Sequence, residues 1–161
     1  LLKSQPSLHT KVETLGIEHL NKCIELDKIA LEGIWNEAQW RNELLDPKRL
    51  CLGVFKNSNL ISLACGWKIC DEFHITALAV HPNKRRQGVA TLILSNLLNE
   101  AKSARMNVAI LEAKSTNISA KVLYQGFGFK IKGRRRKYYK DGSDALIFWN
   151  DLSARSCQIK T

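Results

Sequence analysis

The sequence lacks the features that mark a membrane-spanning or secreted protein. No apolar run approaches the roughly 18 residues that a transmembrane helix requires. The first residues, LLKSQPSLHTKVE, contain no apolar segment followed by a small-residue cleavage site, and so predict no secretory signal peptide. The chain starts at Leu1 and not at methionine, so we expect that a few residues are missing before it. These absences favour a cytoplasmic protein without a membrane partner.

The cysteines lack the spacing of a metal site and the even number of a disulfide framework. There are five of them, none in a CxxC pair: Cys23, Cys51, Cys65, Cys70 and Cys157. Two of the five fall inside an apolar run, LISLACGWKIC. The pattern therefore predicts buried free thiols in a reducing compartment, with neither disulfides nor bound zinc.

The sequence contains no internal repeat, no low-complexity segment and no linker rich in proline, glycine or serine. Its 161 residues, 45% of them apolar and 25% charged, match an ordinary globular domain. We predict one domain over residues 1–161, with a core from about 12 to 152 and a polar tail over 153–161. The net charge of +10 favours anionic partners such as a nucleotide cofactor, RNA or membrane headgroups.

Apolar periodicity predicts a mixed α/β sheet with helices on its faces. From Gly88 onward the apolar residues recur at helical spacing, at Ala90, Ile93, Leu94, Leu97, Leu98 and Ala101. Residues 107–113 form a short continuous apolar run that is typical of a buried central strand. The other predicted strands cover 11–17, 50–55, 60–70, 73–81, 129–139 and 144–152, and the other predicted helices cover 18–33, 36–45 and 117–128.

A basic, glycine-containing turn, RRQG, joins the strand that ends at Val80 to the helix that begins near Gly88. One interpretation is a solvated turn that happens to precede a helix. The other is a cradle for a phosphate, because a helix N-terminus presents unpaired N–H groups and a partial positive charge. The spacing matches neither the P-loop nor the GxGxxG dinucleotide motif.

This turn, Arg85-Arg86-Gln87-Gly88-Val89-Ala90, resembles the coenzyme A loop of the GNAT acetyltransferase superfamily. Downstream, LEAK, TN, LY, GFGF, YY and DA resemble the motifs of the bacterial Rim-type ribosomal-protein alanine N-acetyltransferases. The resemblance spans about residues 12–150 and is strongest from about 75. It implies an α/β, single-domain GNAT fold, with a mixed central sheet of about seven strands flanked by about four helices.

The same resemblance implies acetyl-CoA as co-substrate and no metal. In this family the backbone of the strand before the loop pairs with the pantetheine arm, which assigns Leu78, Ala79 and Val80 to that role. The remaining cofactor contacts that it implies are Arg85, Arg86, Gln87, Gly88, Val89, Ala90, Thr91 and Asn117. N-capping of the following helix explains Asn117 equally well.

Two residues carry the chemistry that the resemblance implies. Glu112 ends the apolar strand and would serve as general base for the acceptor amine; alternatively it marks the exposed strand end and pairs with a lysine. Tyr124 would protonate the departing thiolate; alternatively it is an ordinary core tyrosine. No cysteine falls at the site, so the resemblance implies direct transfer without an acyl-enzyme.

The acceptor end departs most from the family pattern. Of the family's Phe-Pro-Trp only Trp35 is present, which would contact a peptide or simply pack at a helix cap. Lys114 replaces the family's arginine and loses its fork geometry. Tyr139, with Tyr138, would wall the acceptor pocket or form a cross-strand aromatic pair.

The basic stretch KIKGRRRKYYK, residues 130–140, has two interpretations. A charge-protected edge strand is favoured over a surface that binds RNA, because no aromatic-interleaved RNA motif accompanies it.

Three functions are consistent with the sequence. The leading hypothesis is an acetyl-CoA-dependent enzyme that acetylates the N-terminal alanine of a ribosomal protein. The second is a GNAT enzyme for a small amine or an internal lysine. The third is a ribosome- or RNA-associated module that keeps the fold without catalysis.

Overall fold

The computed structural model describes residues 10–153, which form a mixed sheet of seven strands with four α-helices. The strands are β1 (Thr10–Thr14), β2 (Arg49–Lys56), β3 (Asn59–Ile69), β4 (Glu72–Val80), β5 (Val108–Lys114), β6 (Lys130–Arg135) and β7 (Ala145–Asp151). The helices are α1 (Leu20–Leu31), α2 (Glu37–Leu45), α3 (Val89–Ser103) and α4 (Ile118–Gly126). The strand order is β1-β2-β3-β4-β5-β7-β6, so the predicted fold class is confirmed.

Pairing in the sheet is antiparallel for β1–β2, β2–β3, β5–β7 and β6–β7, and parallel for β4–β5. The strands β2, β3 and β4, which are consecutive in sequence, are also neighbours in the sheet. β5 is central and β6 lies at an edge, and both placements confirm the prediction. Within residues 10–153, none of the helices combines the length and apolar character that crossing a membrane requires.

Two predicted helix boundaries, the start of α2 and the end of α1, hold because the residues there cap the helices as their chemistry suggests. The Asn36 side chain accepts a hydrogen bond from the Gln39 N–H at 2.8 Å, and α2 starts one residue after it. α1 ends where Glu32 and Gly33 adopt left-handed conformations, with φ of 62° and 74°.

The predicted strand over residues 129–139 is too long. β6 ends at Arg135, and the chain then turns, because Lys137 adopts a left-handed φ of 48° and its N–H donates to Asp144 Oδ1 at 2.9 Å. The aromatic and basic residues favour a strand. The Asp144 carboxylate, at the far end of the turn, competes with strand pairing for the Lys137 N–H. The predicted tail lies outside the described residues from 154 onward.

The chain divides into two compact units, each with its own core. The first contains residues up to Trp67 and Ile75–Leu98. Its apolar cluster consists of Leu15, Leu20, Cys23, Leu26, Trp40, Cys51, Phe55, Leu60, Leu63, Cys65, Ala77 and Ala79. The second contains Lys68–His74 and the residues from Asn99 onward. There, Tyr124 packs edge-on against Phe129 and Phe148, with ring centroids 5.9 Å and 5.4 Å apart.

The prediction that the thiols are buried is confirmed at three positions and wrong at one. Cys23, Cys51 and Cys65 are free and buried. Cys70 is free but exposed, because the chain turns there between β3 and β4 with a φ of 52°. The apolar run in the sequence therefore extends one residue beyond the end of β3 at Ile69. Cys157 lies outside the described residues.

A buried carboxylate organises the connection between α1 and α2. Asp27, only 1% exposed, accepts hydrogen bonds from the Ile34 N–H at 2.9 Å, the Trp35 N–H at 3.2 Å and Trp40 Nε1 at 2.8 Å. Three donors compensate the charge that burial would otherwise penalise. They also fix the path of the chain between the two helices.

We expect Asp27→Asn to lower the free energy of unfolding by about 2 to 3 kcal/mol, since an amide presents only one acceptor oxygen to these donors and turns an N–H toward one of them. Urea unfolding at neutral pH measures this as a lower midpoint with an unchanged slope. Glu25→Gln, on the same helix but exposed, is the matched control and should leave the midpoint nearly unchanged. Equal midpoints for both variants would contradict the anchoring role of Asp27.

Candidate functional site

The basic turn adopts the conformation that an anion cradle requires. It follows a short 3-10 turn at Pro82–Lys84 and leads directly into α3 at Val89. Arg86 and Gly88 both have left-handed backbones, with φ of 61° and 81°. The first i→i−4 bond of α3 joins the Leu92 N–H to the Gly88 carbonyl at 3.0 Å, so the N–H groups of the preceding residues have no acceptor within the helix.

The surroundings of the turn fit a bulky phosphate group. Gly88 is exposed, and a Cβ built on it would meet no atom within 4 Å, so its backbone is open to approach. Arg86, Gln87 and Thr91 are also exposed, whereas Val89 and Ala90 are half-buried. Open N–H groups at the start of a 15-residue helix, flanked by arginines, attract an anion by both hydrogen bonding and charge.

Arg85 ties the turn to its surroundings. Its Nε donates to the Val80 carbonyl at 3.3 Å, and its guanidinium reaches the Ala30 carbonyl near the C-terminus of α1 at 3.4 Å. The Gln87 side chain donates to the Asn83 carbonyl at 3.3 Å. Both arginines are exposed, but Arg85 already donates to two backbone carbonyls and shapes the turn, so Arg86 is the arginine better placed to meet a ligand.

The last residues of β4 lie beside β3 and precede this turn. Ala79 is buried, and its carbonyl accepts a 2.7 Å hydrogen bond from the buried hydroxyl of Ser62. Leu78 and Val80 are half-buried. β4 pairs with β5 at three positions, from Glu72↔Val108 to His74↔Ile110.

Trp35 packs at the start of α2. It is half-buried and lies edge-on to Trp40, with ring centroids 4.8 Å apart, while its N–H is held by Asp27. Ile34 beside it is 43% exposed. The packing interpretation of Trp35 is thus confirmed, and the partial exposure of this segment leaves room for a peptide contact.

In the second unit, Glu112 lies on β5 and pairs with an arginine. Its carboxylate Oε1 is 2.9 Å from Arg135 Nε on β6, and its side chain is 29% exposed. The strand continues to Lys114, so Glu112 does not mark its end. The predicted lysine partner is wrong, because the strand register brings Arg135 to this carboxylate.

Tyr139 lies close to Glu112 in the turn between β6 and β7. Burial, the Glu112 carboxylate and Tyr138 together raise the pKa of its hydroxyl. Lys114 Nζ lies 5.2 Å from the Tyr139 ring centroid and also pairs with Asp141 at 3.1 Å. These contacts hold the turn beside β5. Lys114, at the place where the family has an arginine, therefore helps to position this turn.

Tyr124 is a core residue with a protonated hydroxyl. It is 8% exposed on α4, and burial together with Tyr139 raises its pKa to about 12. The hydroxyl therefore keeps its proton at neutral pH. Tyr139 thus lies near both Glu112 and Tyr124 within the second unit.

Asn117 caps α4. Its side-chain oxygen accepts from the Ala120 N–H at 3.1 Å, so the capping interpretation is confirmed. Whether it also contacts a cofactor stays a prediction.

Two residues of these local networks were missed from the sequence. Asp27 left a signal, because it shares a helical face with the apolar Leu20 and Cys23 at spacings that predict burial. Arg135 left none, because only the pairing of β6 with β7 and of β7 with β5 brings it to Glu112.

Known proteins resemble this chain in both sequence and fold. Residues 23–146 match the family model for the acetyltransferase (GNAT) domain. The chain is 32% identical over 139 residues to a [ribosomal protein bS18]-alanine N-acetyltransferase of Escherichia coli, covering 84% of this chain and 93% of that protein.

Solved structures share the fold. The crystal structure of the ribosomal-protein-S18-alanine N-acetyltransferase from Escherichia coli superposes with a TM-score of 0.85 at 24% identity, covering 94% of this chain and 99% of that one. The PaiA N-acetyltransferase from Thermoplasma acidophilum, in complex with coenzyme A, gives a TM-score of 0.75 at 20% identity and covers 88% and 98% of the two chains. Because the family model spans most of the sequence, and a relative above 30% identity is covered almost entirely, the chain belongs to the GNAT acetyltransferase family.

Proposed function

We propose that this acetyltransferase uses acetyl-CoA to acetylate the α-amine of a protein N-terminus, an alanine of a ribosomal protein, in the cytoplasm. The observation that carries the proposal is the grouping of Glu112, Tyr124 and Tyr139 in one unit of a GNAT chain. The identity to a bacterial ribosomal-protein alanine N-acetyltransferase supports the choice of acceptor.

Acetyl-CoA supplies the acetyl group as a reactive thioester. The N–H groups at the start of α3, with Arg86 and Gly88, would hold its phosphates, because that turn is open and electropositive. The backbone of Leu78, Ala79 and Val80 would pair with its extended arm in the manner of an added strand.

Glu112 would prepare the acceptor. An α-amine has a pKa of about 8, so at neutral pH most of it is protonated and unreactive. The carboxylate would take that proton directly or through a water molecule. The protonated acceptor amine carries the same positive charge as Arg135, so it can replace Arg135 as the ion-pair partner of Glu112.

Tyr124 would act at the leaving group. Its hydroxyl holds its proton at neutral pH and would donate to the departing sulfur. A pKa raised to about 12 makes it a weaker acid than a free tyrosine. We therefore assign it a contribution near the lower end of the usual range for general acids, about 10²-fold.

Two measurements test the function. Acetyl-CoA should raise the thermal unfolding temperature of the wild-type chain, because it binds the folded state. Arg86→Ala should lose most of this shift. Arg105→Ala is the matched control and should keep it, since Arg105 is also exposed and left-handed, with a φ of 58° against 61° for Arg86. The absence of any shift in the wild type would favour a non-catalytic module.

The acceptor is tested with short peptides that begin with Ala, Ser or Gly, beside polyamines and a peptide with an internal lysine. Mass spectrometry should find one acetyl group on the α-amine of the Ala peptide. Acetylation of polyamines or of lysine alone would replace the proposed acceptor with the small-amine or lysine alternative while leaving the enzyme class intact.

For Glu112→Gln, we expect turnover to fall by about 10²-fold or more at neutral pH and to recover partly as the pH passes the amine pKa of about 8. The decisive control is Arg135→Gln, which breaks the same ion pair without removing the carboxylate. If Glu112 serves only to pair with Arg135, both variants should lose activity equally and the loss should not depend on pH.

For Tyr124→Phe, we expect kcat to fall by about 10²-fold with nearly unchanged affinity for acetyl-CoA. The loss should be constant over the pH range of the assay, because a hydroxyl with a pKa of about 12 stays protonated throughout. Steady-state kinetics and the acetyl-CoA thermal shift separate the two quantities. A large loss of cofactor affinity with normal kcat would instead make Tyr124 a packing residue.

A further inference from the structure

Three potential metal-binding side chains meet in the core of the first unit. They are Glu43 on α2, Cys51 on β2 and Cys65 on β3. One carboxylate oxygen and both Sγ atoms all lie within 4.8 Å of one another. Cys51 and Cys65 face each other directly in the β2–β3 register, so the sheet fixes their separation. The three residues are 6%, 3% and 0% exposed, respectively.

The carboxylate is incompletely satisfied. Glu43 Oε1 pairs with Arg49, but Oε2 is buried and has no hydrogen-bond partner among the described residues. A buried carboxylate oxygen without a partner costs free energy, and neighbouring thiols are only weak donors. A cation at this position would satisfy the oxygen.

We propose that Glu43, Cys51 and Cys65 form a structural binding site for a thiophilic divalent cation, Zn²⁺. Two sulfur donors and one carboxylate suit zinc and disfavour Mg²⁺ and Ca²⁺, which prefer oxygen ligands alone. Each thiol that binds the ion releases its proton to solvent.

A candidate fourth donor and a compensating charge lie in the same region. Cys23 on α1 is fully buried and belongs to the same apolar cluster as Cys51 and Cys65. A tetrahedral zinc ion takes a fourth ligand, and Cys23 is the remaining thiol of this cluster. The Arg49 guanidinium on Glu43 offsets part of the negative charge of the ligands.

The site is independent of acetyl transfer, since none of its residues is among those assigned to the cofactor, the acceptor or the chemistry. Glu43, Cys51 and Cys65 come from α2, β2 and β3, so an ion would cross-link these elements. An ion that binds the folded chain and not the unfolded chain would raise the free energy of unfolding.

Elemental analysis of the full chain, expressed in zinc-supplemented medium and purified under reducing conditions, tests the proposal. The wild type should contain about one zinc ion per chain. The double variant Cys51→Ser/Cys65→Ser should fall to background, and Glu43→Gln should bind substoichiometrically. Cys70→Ser, which removes an exposed thiol, is the matched control and should retain the full amount. Far-UV circular dichroism and the acetyl-CoA thermal shift verify that each variant is folded.

Cobalt gives a second readout that does not depend on the variants. Wild-type chain refolded with Co²⁺ should show thiolate-to-cobalt charge-transfer bands and the visible bands of a tetrahedral ion. A wild type without zinc and without these bands overturns the proposal. So does a double variant with wild-type zinc content, or a thiol count showing that Cys51 and Cys65 are joined in a disulfide.

Discussion

The register between β5 and β7 is the constraint on which the second unit of the protein depends. β5 pairs with β7 along its entire length, from Val108↔Asp151 to Lys114↔Ala145. Side chains alternate between faces with a period of two, so Glu112 and Lys114 share one face. A slip of one residue would turn both to the other face and bury charge in the core.

The same register explains how β6 reaches Glu112 across β7. Ile147 pairs with Glu112 on one side and with Gly133 on the other, and Ala145 pairs with Lys114 and Arg135. A Cβ at Gly133 would lie only 3.2 Å from Ile147 Cδ1, so glycine gives this isoleucine its space. Small residues beside the ion pair let the long arginine side chain extend over β7 to the carboxylate on β5.

Sequence predicted the features that depend on local chemistry. The spacing of apolar residues defined α3, and the buried Ile93, Leu94 and Leu97 follow that pattern. The N-caps Asn36 and Asn117 were predictable because a cap bonds to the backbone two or three residues away.

The predictions that were wrong or missed have two causes, a turn that the sequence did not reveal and pairing between distant segments. The end of β6 and the exposure of Cys70 were wrong because a turn stabilised by its own geometry interrupts a residue pattern that favours a strand. The Arg135–Glu112 pair and the Glu43, Cys51 and Cys65 cluster join residues from separate elements. No spacing rule within a single element contains this information, and it emerges only when the strands pair.

The C-terminal end of α1 connects two segments to which the proposed function assigns different ligands. Asp27 holds Ile34 and Trp35 on the proposed acceptor side, while the carbonyl of Ala30, one helical turn further on, receives the guanidinium of Arg85 from the proposed cofactor turn. The last carbonyls of a helix lack partners within it and carry a partial negative charge, so an arginine is a favourable partner there. The end of α1 thus anchors both loops, and a shift of this helix would displace them together. The buried charge of Asp27 resists such a shift, because moving the helix would leave the carboxylate without its three donors.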